Sequence, residues 1–135
     1  MNLYYKIRNE IREAKYNLKC KCQRFKRGYS NSDVWDMDTW FIDTIKPMLI
    51  HLKEHGCSYP MEFEDRDEWC AVLDEMIGCL ILMSEDNVHK HLGFDYIDGW
   101  KYMMREDHAR VYKAMNDNKN RFFELFNKYF YDLWD

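Results

Sequence analysis

Residues 65–83 carry the sequence DRDEWCAVLDEMIGCLILM, in which a short acidic opening is followed by a long apolar run. The apolar positions recur at intervals of three and four, which is the period of an α-helix rather than of a strand. They are Trp69, Val72, Leu73, Met76, Ile77, Leu80 and Ile81. Because the second half is apolar nearly all round, we predict the central helix of a bundle, capped by Asp65 or Asp67.

The two segments that precede this helix show the same spacing. Residues 1–27 are predicted to form one basic amphipathic helix that ends near Gly28, because glycine commonly follows the last residue of a helix. Its apolar row consists of Tyr4, Ile7, Ile11, Ala14, Leu18 and Phe25. A second helix is predicted over residues 32–55, with a kink near Thr44 because Pro47 has no amide donor.

The remainder of the chain completes an all-α prediction. Residues 84–99 are polar and are predicted to connect the central helix to a long C-terminal helix over residues 100–134. Glycine occurs five times and proline twice, which is scarce for a protein of strands and turns. A chain of 135 residues has room for one core, so we expect a single domain over 1–135: an elongated bundle of four to five helices with long N- and C-terminal helices.

Compartment follows from hydropathy and cysteine content. No stretch approaches the roughly 18 consecutive apolar residues of a membrane helix, so we expect no membrane partner. The first ten residues include Lys6, Arg8 and Glu10 where an export signal would be apolar. Five cysteines, an odd number, are typical of reduced thiols. These features predict a cytoplasmic protein.

Charge is distributed unevenly along the chain. Residues 1–27 contain nine Lys or Arg and two acidic residues, a net charge of +7, whereas residues 28–135 contain eleven and twenty-two, a net charge of −11. Four basic residues share one stripe of the first helix: Arg8, Arg12, Lys15 and Lys19. Such a stripe suits phosphate contacts, but we favour the explanation that it is solvated or lies against the acidic remainder of the chain, because charge runs are usually solvated faces. The pI near 5.7 argues against dedicated nucleic-acid binding.

A nucleotide or other phosphate-bearing ligand would be expected at the end of this basic helix. There, cationic side chains meet aromatic ones beside a glycine, and aromatic rings can stack on bases. The predicted ligand-binding residues are Arg24, Lys26, Arg27, Tyr29 and Trp35.

Metal binding has only one local pattern in its favour. His51 and His55 are four residues apart on a predicted helix, with Cys57 just beyond. Position 52 is Leu52, so the glutamate of a His-Glu-x-x-His metalloprotease is missing. Exposed histidines explain the pattern as well, and we predict neither a metal site nor a cofactor.

Catalysis has equally little support. The chain has no Gly-x-Ser-x-Gly elbow and no glycine-rich phosphate loop. Acidic residues cluster in its middle: Glu62, Glu64, Asp65, Asp67, Glu68, Asp74, Glu75, Glu85 and Asp86. They allow a metal-dependent nucleotide pyrophosphohydrolase as an alternative. Those all-helical enzymes have Glu-x-x-Glu on one helix and Glu-x-x-Asp on the next, but here the residue three positions after Glu85 is Val88 instead of an acid. Helix capping and solubility explain the acids, so we predict no catalytic residues and no enzyme.

The C-terminal helix carries two apolar rows, and a compact monomer of this size can cover one of them. The first row is a seam of Val111, Met115, Asn118, Phe122, Leu125 and Tyr129, and the second consists of Phe123, Phe126, Phe130 and Leu133. We therefore predict a homodimer or higher homo-oligomer formed through the first or last helix, with Asn118, Phe122, Phe126 and Tyr129 at the interface. The alternative is that both rows are buried inside one chain.

Several short motifs resemble a family of small proteins encoded by tailed bacteriophages and prophages. They are Arg27-Gly28-Tyr29-Ser30, Asp33-Val34-Trp35 with Asp38, Ser58-Tyr59-Pro60, Trp69 with Leu73-Asp74-Glu75-Met76-Ile77, Phe122 to Phe126 with Lys128-Tyr129-Phe130, and Leu133-Trp134-Asp135. The motifs span residues 27–135. The sequence departs from the family pattern at position 58, because this chain has Ser58 before Tyr-Pro where the family pattern has a glycine. No functional residues are carried over from the family.

The resemblance implies a phage accessory protein in the cytoplasm of the host cell. Together with the absence of catalytic motifs, it suggests a counter-defence protein that binds and inhibits a host immune protein or sequesters its nucleotide second messenger. A virion or assembly component is the alternative, since long helices and an aromatic terminus suit one as well.

Overall fold

The computed structural model describes residues 3–93 and 105–134, and every regular element within them is helical. The elements are α1 (Leu3–Arg27), α2 (Asn31–Trp35), α3 (Met37–His55), α4 (Arg66–Leu82), α5 (Glu85–His91), α6 (Arg105–Lys128) and a 3-10 turn at Phe130–Asp132. The predicted all-α fold with long N- and C-terminal helices is confirmed. None of the helices described is both long enough and apolar enough to cross a membrane.

Contacts between Cα atoms divide the chain into two compact units. The N-terminal unit is Met1–Phe41 and the C-terminal unit is Ile42–Asp135. Helices α1 and α2 belong to the first unit and α4, α5 and α6 to the second, while α3 begins in the first and ends in the second. The single domain expected over residues 1–135 stays a prediction.

In the N-terminal unit, a glycine and a capping box turn the chain from α1 into α2. Gly28 has a φ of 82°, a left-handed conformation that glycine adopts without strain, and its amide donates to the carbonyl of Arg24 at 2.8 Å. Ser30 then caps α2: its side chain accepts from the amide of Asp33, and the carboxylate of Asp33 accepts from the amide of Ser30. Ser30 is fully buried, so this exchange satisfies groups that water cannot reach.

Helix α3 continues through Pro47 without a break, and the kink near Thr44 stays a prediction. The helix predicted over residues 32–55 is instead divided at Asp36, whose backbone leaves the helical region between α2 and α3. Pro47 removes the hydrogen bond to the carbonyl of Asp43, four residues earlier. Both residues lie on the exposed side of α3, where water can hydrate that carbonyl, so the helix tolerates the proline.

The core of the C-terminal unit lies between α4 and α6, with α5 packed against both helices. Its fully or nearly fully buried side chains are Trp69, Leu73, Met76, Leu80, Val88, Val111, Phe122, Leu125 and Tyr129. The rings of Trp69 and Tyr129 meet edge to face, with centroids 5.3 Å apart, and Phe63 contacts both rings. The helix over residues 65–83 is therefore central to this unit, as predicted, and Asp65 caps it by accepting from the amide of Glu68.

Ion pairs join the helices around this core. Arg121 on α6 forms a two-pronged pair with Glu75 on α4, at 2.6 and 3.1 Å. Lys53 at the end of α3 contacts Asp74 at 2.6 Å, and Arg66 donates to the carbonyl of Lys53 at 2.7 Å. The hydrogen bonds from Arg121 hold the pKa of the Glu75 carboxyl below its usual range. These contacts join basic side chains of α3 and α6 to acidic side chains of α4.

Two predicted boundaries are wrong. The start of the expected connection over 84–99 is helix α5, which is held by the complete burial of Val88. The helix expected over 100–134 ends at Lys128, because the backbone of Tyr129, with φ −103° and ψ 17°, leaves the helical region before a 3-10 turn. Its expected start at residues 100–104 lies outside the described residues.

A matched pair of leucines tests this assignment of the core. Leu73→Ala removes a fully buried side chain and should lower the free energy of unfolding by about 3 kcal/mol. Leu18→Ala removes a side chain that is 63% exposed on α1 and should cost less than about 0.5 kcal/mol. Urea denaturation measures both values. Comparable losses in the two variants would contradict the exposed position of Leu18.

Candidate functional site

Helix α1 presents a stripe of exposed apolar side chains. The stripe consists of Tyr4, Ile7, Ile11, Leu18 and Phe25, and all five side chains are exposed. Phe25 is the extreme case, with 92% of its surface accessible. Isolated exposed apolar residues are ordinary, but a row at helical spacing, here interrupted at Lys21, is typical of an interaction surface.

The stripe faces away from the side of α1 that packs within its own unit. Cys20 is the buried residue of α1, and it touches the hydroxyl of Ser32 on α2 at 3.6 Å. Leu18 precedes Cys20 by two residues, which corresponds to a rotation of about 200° around a helix. The contact with α2 therefore uses one face of α1 and leaves the opposite, apolar face unused.

A basic stripe runs beside the apolar one. Arg8, Arg12, Lys15 and Lys19 lie about 90° around the helix from its centre, as the spacing predicts. All four are exposed, and none forms an ion pair with a described residue. Helix α1 thus combines an uncovered apolar row with a row of uncompensated positive charge.

The predicted phosphate-binding residues are largely used inside the N-terminal unit. Arg24 donates from Nε and Nη2 to the two carboxylate oxygens of Asp33, at 3.0 and 2.6 Å. Hydrogen bonds from Arg24 and from the amide of Ser30 hold the pKa of the Asp33 carboxyl far below its usual range. Arg27 donates to the carbonyl of Tyr29 and to the side chain of Asn31, and its guanidinium lies 4.5 Å above the Tyr29 ring. Both arginines therefore fix the α1–α2 turn.

The structure does not gather the predicted ligand residues into one site. Lys26 is exposed on α1, and Trp35 is 91% exposed on α2. Tyr29 borders a shallow depression of about 310 Å³ with Asp33, Val34, Met37 and Trp40. The depression includes one predicted ligand residue, and Arg24 is committed to the carboxylate at its edge.

Within the described part of the chain, the histidine and acidic patterns do not form a metal centre. The ring centroids of His51 and His55 are 4.6 Å apart, and the Cys57 thiol donates to the carbonyl of His55 at 3.9 Å. No group of three or more His, Cys, Asp or Glu among residues 3–93 and 105–134 is placed to hold a metal. The central acids have structural roles: Asp65 caps α4, and Asp74 and Glu75 pair with basic side chains as described above.

The predicted oligomer residues divide into two groups. Phe122 and Tyr129 are buried against α4, and the Asn118 side chain donates to the carbonyl of Ala114 on its own helix at 2.8 Å. Placing Phe122 and Tyr129 at an interface is wrong, because the intrachain core already covers them. Phe126 is only partly buried and borders a cleft of about 650 Å³ in the C-terminal unit.

That cleft is predominantly apolar and lies between α3 and the end of the chain. Helix α3 contributes Ile45, Pro47, Met48, Leu49, His51 and Leu52. Gly56 closes one end, and Phe126, Phe130 and Leu133 form the other wall. Sequence reasoning missed this cleft, because its two walls are far apart along the chain. The apolar stripe of α1 was recognisable from its helical spacing. The net charge of +7 over residues 1–27 was the signal that this helix is not part of a core.

Comparison with known proteins gives no relative. No protein-family model, no curated protein and no solved structure matches the chain.

The Arg24–Asp33 pair should make stability depend on pH. Because the folded pKa of Asp33 is depressed, the pair stabilises the protein fully above the ordinary carboxyl pKa of about 4 and loses its effect as pH falls toward the folded value. Asp33→Asn should therefore lower the thermal midpoint more at about pH 7 than at about pH 3. Asp38→Asn, at an exposed carboxyl on α3, is the control. An equal effect of Asp33→Asn at both pH values would refute the ionic role.

Proposed function

We propose that this protein is a non-enzymatic binding protein that docks on a protein partner through the apolar and basic stripes of α1. The observation that carries the proposal is the exposed apolar stripe on the face of α1 opposite Cys20. Exposed apolar side chains do not stabilise the isolated chain. Burying them on association contributes about 25 cal/mol of binding free energy for each Å² of apolar surface.

The two stripes define the chemistry of the partner. Positions Tyr4, Ile7, Ile11 and Leu18 follow the spacing by which an amphipathic helix enters an apolar groove. From Tyr4 to Phe25 the stripe extends for roughly 32 Å at 1.5 Å per residue, so the groove should be of similar length. Because the basic stripe lies on one side only, the groove should have an acidic rim along one edge.

The biological role that we propose is counter-defence, in which the protein binds a host immune protein and inhibits it. The resemblance to tailed-phage proteins supports this role, and a docking helix without catalytic machinery suits inhibition by occlusion. Sequestration of a nucleotide second messenger is less well supported, since Arg24 and Arg27 are engaged within the chain. A free phosphate-binding site would leave such guanidinium groups directed at solvent.

Disruption of the apolar stripe should abolish partner binding. In defence-bearing bacteria, the tagged wild-type protein should retain one defence protein, identified by mass spectrometry, and should restore phage plating. The double substitution Ile11→Glu and Leu18→Glu removes two apolar anchors, so affinity for the purified defence protein should fall by about 100-fold or more. Met61→Glu, at a fully exposed loop position of the C-terminal unit, is the matched control. Wild-type affinity in the double variant would exclude α1 as the docking helix.

Charge reversal on the basic stripe distinguishes its electrostatic contribution to partner binding from the contribution of the apolar stripe. Arg8→Glu with Arg12→Glu should reduce the association rate by roughly tenfold at low salt and flatten its dependence on ionic strength. Vesicles containing anionic lipid form a second arm, because a basic amphipathic helix also suits a membrane surface. Binding to vesicles without any protein partner would contradict the proposed function in favour of a membrane surface. A nucleotide released from the purified protein would contradict it in favour of nucleotide sequestration.

A further inference from the structure

We propose that the end of α2 is a separate docking surface, which binds a basic protein segment that carries one bulky apolar side chain. This surface, the α2 patch, consists of Val34, Trp35 and Met37 together with the carboxylates of Asp36 and Asp38. It is distinct from the stripes of α1, which suit a groove with an acidic rim, so the inference does not rest on the proposed function.

Trp35 is the aromatic anchor of the α2 patch. It is 91% exposed, and its neighbours Val34 and Met37 are 55% and 63% exposed. Its indole forms no hydrogen bond or ring contact with any residue that the structure describes. Tryptophan is among the residue types that contribute most to binding at protein interfaces. An indole displayed in this way is therefore available to a partner.

A shallow depression beside the indole accommodates an apolar side chain. It measures about 310 Å³, and Val34 and Met37 line it together with Tyr29 and Trp40. That volume is at the lower limit of natural ligand cavities, which suits one bulky side chain better than a whole small molecule. The partner segment should therefore supply a single apolar residue next to the one that contacts the indole.

The short helix that carries Trp35 is held by polar contacts with α1. Helix α2 has five residues, and helices shorter than about 12 residues are marginal in water. The carboxylate of Asp33 accepts two hydrogen bonds from Arg24 and one from the amide of Ser30, which is buried. A side chain on a turn that is fixed in this way loses less conformational entropy on binding than one on a flexible loop, which favours association.

Charge selects a basic partner for the α2 patch. Residues 28–41 contain three aspartates and no lysine or arginine. One of the three, Asp33, is already paired with Arg24, whereas Asp36 and Asp38 are exposed and have no ion-pair partner within residues 3–93 and 105–134. These two carboxylates repel the phosphate group that the sequence predicts at Trp35. A lysine or arginine can instead pair with them and lie over the indole ring.

The neighbouring ring already has a cation over it. The guanidinium of Arg27 lies 4.5 Å above the ring centroid of Tyr29 and donates to the carbonyl of the same residue. A partner arginine over Trp35 would repeat this contact. Because Arg27 covers Tyr29, the open indole is the ring that remains for the partner.

Titration of the isotope-labelled full chain with blocked peptides, followed by NMR of the tryptophan indole N–H groups, tests the inference. The probe is the peptide Arg-Arg-Leu-Arg-Arg. We expect it to shift the Trp35 resonance, which is identified by its absence in Trp35→Ser, in a saturable manner. The peptide Arg-Arg-Ser-Arg-Arg lacks the apolar side chain and should bind about tenfold more weakly, and Glu-Glu-Leu-Glu-Glu should not bind.

Variants of the patch locate the electrostatic contribution. Asp36→Asn with Asp38→Asn should weaken binding of Arg-Arg-Leu-Arg-Arg by about tenfold at low salt, and asparagine still suits the start of a helix. Glu64→Gln with Asp67→Asn is the matched control, because it removes two exposed carboxylates close in sequence to the exposed Met61 of the C-terminal unit. This control should leave the affinity unchanged. Circular dichroism checks that each variant is folded.

Four results would overturn the inference. The first is an unmoved Trp35 resonance with the basic peptide at up to about 1 mM. The second is an equal shift with Glu-Glu-Leu-Glu-Glu, and the third is an equal loss of affinity in the control variant. The fourth is a dimer of the wild-type chain in light scattering that is lost in Trp35→Ser, because it would assign the patch to a second copy. The first three results leave docking through α1 unaffected, since that docking is tested with Ile11→Glu and Leu18→Glu.

Discussion

Trp69 and Tyr129 meet edge to face at 5.3 Å between ring centroids, and this contact determines the geometry of the C-terminal unit. It joins the start of α4 to the end of α6, so the two helices run along each other and bury Leu73, Leu80 and Phe122 between them. Aromatic pairs of this kind contribute roughly 0.5–1.5 kcal/mol beyond the area that they bury. Their larger effect here is positional, because they hold the start of α4 against the end of α6.

The position of Tyr129 explains why aromatic residues remain outside the core. After Tyr129 the chain continues as a 3-10 turn rather than as a helix, and Phe130 and Tyr131 lie on the solvent side. The segment that follows the last core residue of α6 therefore forms the exposed aromatic end and contributes Phe130 to one side of the cleft.

In the N-terminal unit, the corresponding constraint is the Arg24–Asp33 pair. It combines with the capping box of Ser30 to fix the turn between α1 and α2, and it uses the cations that the sequence offers for a ligand. The pair lies on the same side of α1 as Cys20, so it has no effect on the apolar stripe. What is left for recognition on this helix is the stripe and the unpaired cations beside it.

Helix content could be predicted from sequence because it depends on local periodicity and on stops such as Gly28. The assignment of apolar rows to core or surface could not, because burial depends on partners distant in the chain. Phe122 and Phe123 are neighbours of identical chemistry, yet α4 covers only the first of them fully. The helix is divided at Asp36, whose backbone leaves the helical region, and not at Pro47, which the helix accommodates.

Charge pattern supplies part of the information that periodicity lacks. The acids of α4, Asp74 and Glu75, face basic residues from α3 and α6, so apolar and charged groups of that helix are satisfied together. Along α1, Arg12 and Lys15 have no acidic counterpart in the described chain, and the apolar row beside them is equally without cover. An amphipathic helix whose charges are compensated from other helices is typical of a core, whereas a predominantly basic helix with an exposed apolar row is typical of an interaction surface.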